Sequence, residues 1–110
     1  MRQGWLVMTV CLAACTVPKD RAVLVLNDPD WARVRVQVVY TTSSDCDSRG
    51  PGYDRTQELD MIKNKTERLE AKSGELICYR HSDPDNPGPQ SWSGWTKVTL
   101  FPGTEVRADL

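Results

Sequence analysis

Between Ala32 and Tyr40 the side chains alternate. Ala32, Val34, Val36, Val38 and Tyr40 fall on one side, and Arg33, Arg35 and Gln37 on the other. A period of two belongs to an extended strand with one dry and one wet face. The pattern returns over 104–110, with Val106, Ala108 and Leu110 inward and Glu105, Arg107 and Asp109 outward. Arg21 to Leu26 is a compact apolar run rich in valine and leucine, as expected of a strand covered on both faces. Trp92 to Phe101 reads as another strand, with Trp92, Thr96, Val98 and Leu100 on one face and Trp95, Lys97 and Thr99 on the other. Between these runs lie breakers. Asn27-Asp28-Pro29-Asp30 and Pro102-Gly103 are turns by composition, and 41–54 is a Ser-, Asp- and Gly-rich loop. Residues 82–91 contain Pro84, Pro87 and Pro89 and cannot form a regular element.

Residues 56–72 support two readings. Leu59, Ile62, Thr66 and Leu69 fit a helical stripe, which predicts a short helix within 56–70. The other reading is a hairpin turning at Asn64, with Leu59 and Met61 facing Leu69 and Ala71. Ser73-Gly74 then looks like a tight hairpin turn into 75–80. Strands are favoured through 66–81, and 56–63 stays open between the two readings. About six to seven short strands divided by turns predict a mainly β protein, a small antiparallel sandwich or barrel.

The N-terminus carries a separate signal. Arg2 precedes an apolar run from Trp5 to Leu12, followed by Leu12-Ala13-Ala14-Cys15. The run is too short to span a bilayer, which takes about 20 apolar residues. It resembles the signal of a bacterial lipoprotein: a basic start, an apolar segment, small residues, then the cysteine that becomes the acylated N-terminus. The resemblance implies a signal peptide over 1–14, a lipid on Cys15, a tether over 15–20 and one β domain over 21–110. It also implies attachment to a membrane by acyl chains rather than by insertion. Thr16, where an aspartate would favour retention at the inner membrane, implies the periplasmic face of an outer membrane.

The 110 residues suffice for one domain. With 14 basic and 15 acidic side chains there is no basic excess, which argues against a nucleic-acid partner. Given export, the cysteines sort themselves. Cys11 leaves with the signal and Cys15 takes the lipid, so Cys46 and Cys78 remain in a compartment that permits disulfides. A Cys46–Cys78 bridge is expected to stabilise the fold by roughly 3–4 kcal/mol. It would pin a loop to a strand instead of joining two sheets through the core. The alternatives are free thiols or a metal site, but His81 is the only histidine and structural zinc takes four N or S ligands.

Candidate chemistry is sparse. Asp83, Asp85 and Asn86 suggest a calcium loop, with Gly88 at the sixth position; Gly94, however, stands where a bidentate Glu is required at the twelfth. These three read as turn residues on a binding surface, and Asp45 and Asp47 around Cys46 raise the same calcium question. Trp92, Trp95, Tyr79 and Tyr53 could form an aromatic platform. Trp92 and Trp95 are three apart and so face opposite sides of a strand. Trp92 is then core, and Trp95 is either an exposed anchor for a partner or one half of a cross-strand packing pair. His81, without a placed nucleophile, reads as a strand-end surface residue. Glu58, Asp60, Glu67, Glu70 and Glu75 could serve glycosidase-like chemistry but sit among Lys and Arg, as on a solvated charged face. The expectation is therefore a non-catalytic lipoprotein with no cofactor and no metal. Its partners would be the membrane, through the anchor, and an envelope protein in a scaffold. The alternatives are an inhibitor or immunity-type lipoprotein acting on a cell-wall hydrolase through loops 41–54 and 82–91, and a peptidoglycan or glycan binder using Trp95.

Overall fold

The computed structural model describes residues 17–82 and 92–110. Cys15, Asp83, Asp85 and Asn86 lie outside the described residues. Seven strands form: β1 (Arg21–Asn27), β2 (Arg33–Thr41), β3 (Tyr53–Ile62), β4 (Thr66–Lys72), β5 (Leu76–His81), β6 (Thr96–Thr99) and β7 (Glu105–Asp109). They make two sheets, one ordered β4-β1-β7 and the other β3-β2-β5-β6. The pairings are antiparallel except β1 with β7, which run parallel.

The core lies between the sheets. Ala22, Leu24 and Leu26 of β1 and Leu69 and Ala71 of β4 meet Val34, Val36, Val38 and Tyr40 of β2, Leu59 and Met61 of β3, and Ile77 and Tyr79 of β5. Val98, Val106, Ala108 and Leu110 close its margin half-buried. The alternation read from β2 and β7 is thus the inward face of each strand, with one exception: Ala32 precedes the strand and is exposed.

The short helix within 56–70 does not form. Buried positions there follow a period of two, Leu59 and Met61 then Leu69 and Ala71, while Ile62 on the helical stripe is 56% exposed. The hairpin reading also needs correction. β3 and β4 belong to different sheets, so the chain arches over the core at Asn64, whose φ is 70°. Leu59 and Met61 therefore face Leu69 and Ala71 across the sandwich, not along a ladder. Asparagine tolerates this left-handed backbone better than most residues. The arch is tied to the β1–β2 turn by Asn64 N–H donating to Asp28 O at 2.6 Å and Asp28 N–H donating to Lys65 O at 3.0 Å. The Ser73-Gly74 turn is a second arch, from β4 back to β5. An inward/outward alternation is the same for a hairpin and an arch; what separates them is which strand edge is free to pair. Here β1 takes β4 over seven residues, from Arg21 opposite Lys72 to Asn27 opposite Thr66.

Strand β1 is central in its sheet and buried on both faces, as its composition implied. Outward Val23 and Val25 pack with Val17. Beside them, Glu70 and Glu105 flank Val23, and Arg68 and Arg107 flank Val25. Arg68 reaches Glu105 at 2.9 Å across the strand, so the aliphatic stems of charged residues help roof the valines.

Candidate binding pocket

The outer face of the four-stranded sheet carries a second, smaller apolar cluster. Val39 of β2 and Cys78 of β5 are buried there with Cys46, and Tyr53, Leu76 and Trp95 pack against them. The Cys46–Cys78 disulfide holds the loop of residues 42–52 onto this face, with Cα atoms 6.0 Å apart. It joins a loop to a strand on one sheet, as the sequence implied. Short local bonds stiffen the loop further. Ser43 N–H donates to Thr41 Oγ1 at 3.0 Å, Asp47 N–H to Asp45 Oδ1 at 3.0 Å, and Thr42 N–H to Gly52 O at 3.0 Å. Asp45 thus caps a turn, as Ser and Asp side chains commonly do. Gly52 has a φ of 94°, and a Cβ there would collide with the Thr42 hydroxyl.

Between this loop and the sheet lies a cavity of about 110 Å³. Val39 and Cys46 form apolar parts of its lining, and Gln37, Arg80 and Trp95 form one flank. Asp47, Arg49, Tyr53 and Thr56 complete the lining. Arg80 stands opposite Gln37 in the β2–β5 ladder and donates from Nε to Gln37 Oε1 at 2.8 Å. Its guanidinium lies 4.2 Å from the Trp95 ring centroid and 5.1 Å from that of Trp92. Trp95 Nε1–H donates to Asp47 Oδ1 at 2.9 Å, bolting the ring to the loop. On the other flank, Arg49 donates from Nη1 to Tyr53 OH at 2.8 Å, and that hydroxyl is also 2.8 Å from Thr56 Oγ1.

Two sequence candidates, Trp95 and Tyr53, therefore meet in one pocket. Trp95 is half-buried rather than exposed, because it packs on the disulfide cluster. Trp92 is not a core residue. Ser93 and Gly94 are not in a strand, so the alternation fails and both indoles approach Arg80. Tyr79 is buried in the core and cannot join the platform. Gln37, Asp47, Arg49, Thr56 and Arg80 complete the site. Arg80 had a legible signal, since it lies two residues after Cys78 and so shares the face of the predicted disulfide.

The other polar candidates fall elsewhere. His81 ends β5 as expected but is half-buried against Trp31, with ring centroids 5.4 Å apart. Glu75 departs from the solvated charged face: it is buried and accepts from Lys72 N–H at 2.9 Å. Burial pushes its carboxyl above the ordinary value of 4.5. Its hydrogen bond to Asp54, with Lys72 and Arg55 nearby, holds the Asp54 carboxyl below 3.8. A bulge places Asp54 there, because Tyr53 pairs with Thr41 and Arg55 with Tyr40, leaving Asp54 unopposed. Among the described residues no group of three or more His, Cys, Asp or Glu side chains is arranged to hold a metal ion. Comparison with protein-family models, curated proteins and solved structures returns no match.

Proposed function

We propose that this chain is a lipoprotein acylated at Cys15 and held on the periplasmic face of an outer membrane, and that its sandwich is a non-catalytic binding or scaffolding module in an envelope assembly. The pocket between the 42–52 loop and the four-stranded sheet is the observation that carries this reading. Its walls are fixed before any ligand arrives, by a disulfide and by the Trp95–Asp47 bond. A preorganised surface loses little conformational entropy on binding. The stiffness of the loop also favours a second reading, an inhibitor that inserts 42–52 into a cell-wall hydrolase. Glycan stacking on Trp95 has less support, since the Arg80 guanidinium already covers a face of that ring.

The test has two parts. Intact-mass analysis should find acyl chains on the wild type and none on Cys15→Ser. A photo-crosslinker in place of exposed Ser44, on the loop, should capture an envelope partner in cells, while one in place of exposed Arg107, on the other sheet, should not. A hydrolase in the Ser44 adduct selects the inhibitor. An absence of acyl mass, or adducts of equal yield from both positions, overturns the proposal.

A further inference from the structure

The binding reading leaves open what chemistry the pocket recognises, and its polar groups narrow the choice. Two guanidiniums, Arg49 and Arg80, line it against one carboxylate, Asp47. Among the described residues neither arginine forms an ion pair. Each is held by neutral partners instead. Arg80 uses Nε on Gln37 and its face on the indoles, and Arg49 uses Nη1 on Tyr53. Stacking occupies the faces of a guanidinium and leaves its in-plane edge for hydrogen bonds, and among the described residues the other N–H donors of both arginines take no partner, the arrangement suited to a planar carboxylate. The Asp47 charge is partly engaged, because Oδ1 accepts from Trp95. Size restricts the ligand as well. The cavity, at about 110 Å³, is smaller than the roughly 150 Å³ engineered cavity known to admit benzene, so it suits a carboxylate on a short stem better than a sugar ring.

The geometry points to a receptor for an acidic side chain: a glutamate or aspartate of a partner's peptide segment enters the pocket and its carboxylate is shared by Arg49 and Arg80. This rests on the binding-module reading and adds the ligand class to it. The partner is a protein segment, since a carboxylate must be presented on a stem that the 42–52 rim and Trp95 can grip from both sides.

The full-length ¹⁵N-labelled protein is titrated with acetyl-Gly-Glu-Glu-Gly-amide, with the peptide carrying Gln at both central positions, and with free glutarate. The Trp95 indole N–H resonance, assigned by Trp95→Phe, is followed. The acidic peptide should shift it saturably, and the Gln peptide should not. Arg49→Gln and Arg80→Gln should each weaken the acidic peptide by about tenfold or more, as loss of a charge-assisted hydrogen bond entails. Arg49 is exposed on the loop, so Arg49→Gln decides the matter should Arg80→Gln fail to fold. Equal response to both peptides, or unchanged affinity in folded Arg49→Gln, overturns the inference. Glutarate binding as tightly as the peptide also overturns it, in favour of a small carboxylate. If Ser44 captures a partner in cells while the acidic peptide has no effect, the ligand class is wrong and the binding module still stands.

Discussion

At the scale of single residues, Glu75 has the clearest physical consequence. Burial raises its carboxyl above 4.5, so the folded protein keeps a proton that the unfolded chain releases. Its contribution to stability is complete below about pH 4.5 and is lost as pH rises through the folded value. Asp54 runs the other way: lowered from 3.8, it contributes above that value and is lost as pH falls through the folded one. Glu75→Gln keeps an oxygen for Lys72 N–H and an N–H for Asp54, but cannot ionise. It should melt with wild type at pH 4 and increasingly above it toward pH 8, measured by circular dichroism. A constant gap at every pH would show that Glu75 does not hold the proton. A second residue-scale comparison separates positions that the sequence treated alike. Val36 and Val98 both lie on the inward face of their strands, yet Val36 is fully buried and Val98 half-buried at the short edge strand β6. Val36→Ala should cost about 1–3 kcal/mol and Val98→Ala clearly less, by denaturant midpoint.

At the scale of elements, the disulfide does two things at once. It shortens the excursions of the unfolded chain, and it sets the loop that carries Asp47 beside Trp95. Cys46→Ala should lower stability on the order of 2–4 kcal/mol. In the still-folded variant the Trp95 indole N–H signal should move, since its acceptor is no longer anchored; a stability loss without that movement would mean the loop holds its shape unaided. The strands themselves were legible because β2 and β7 alternate over their whole length. Their assignment to sheets was not. Nothing local marks 63–65 or Ser73-Gly74 as arches, and only the pairing of β1 with both β4 and β7 decides it. The pocket was half legible for the same reason. Trp95 and Tyr53 stand out as aromatic residues and Arg80 shares parity with Cys78. Gln37 and Thr56, by contrast, reach the site through the β2–β5 and β2–β3 registers, which link residues far apart in the chain, and Arg49 reaches it on the loop that the disulfide pins.

At the scale of the whole molecule, the two outer faces of the sandwich are unlike. One presents the pocket. The other is a valine stripe on β1 under Arg68, Glu105, Arg107 and Glu70, and it is against this stripe that Val17 is buried. Val17→Ser should therefore destabilise the domain by about 1 kcal/mol and raise proteolysis near residue 20, without altering the pocket's indole signals. Changes at both sites should mean that the two faces are coupled through the core. Thr16 alone separates Cys15 from Val17. On the proposed acylation of Cys15, only one residue would lie between the lipid and the first buried side chain. The β1 stripe would rest nearest the lipid, with the pocket held upward about a sandwich's thickness away, like a hand turned palm outward. Such a molecule would meet its partners by waiting for them to cross the gap above the bilayer, and headgroups drifting in the leaflet below would pass beneath its grip.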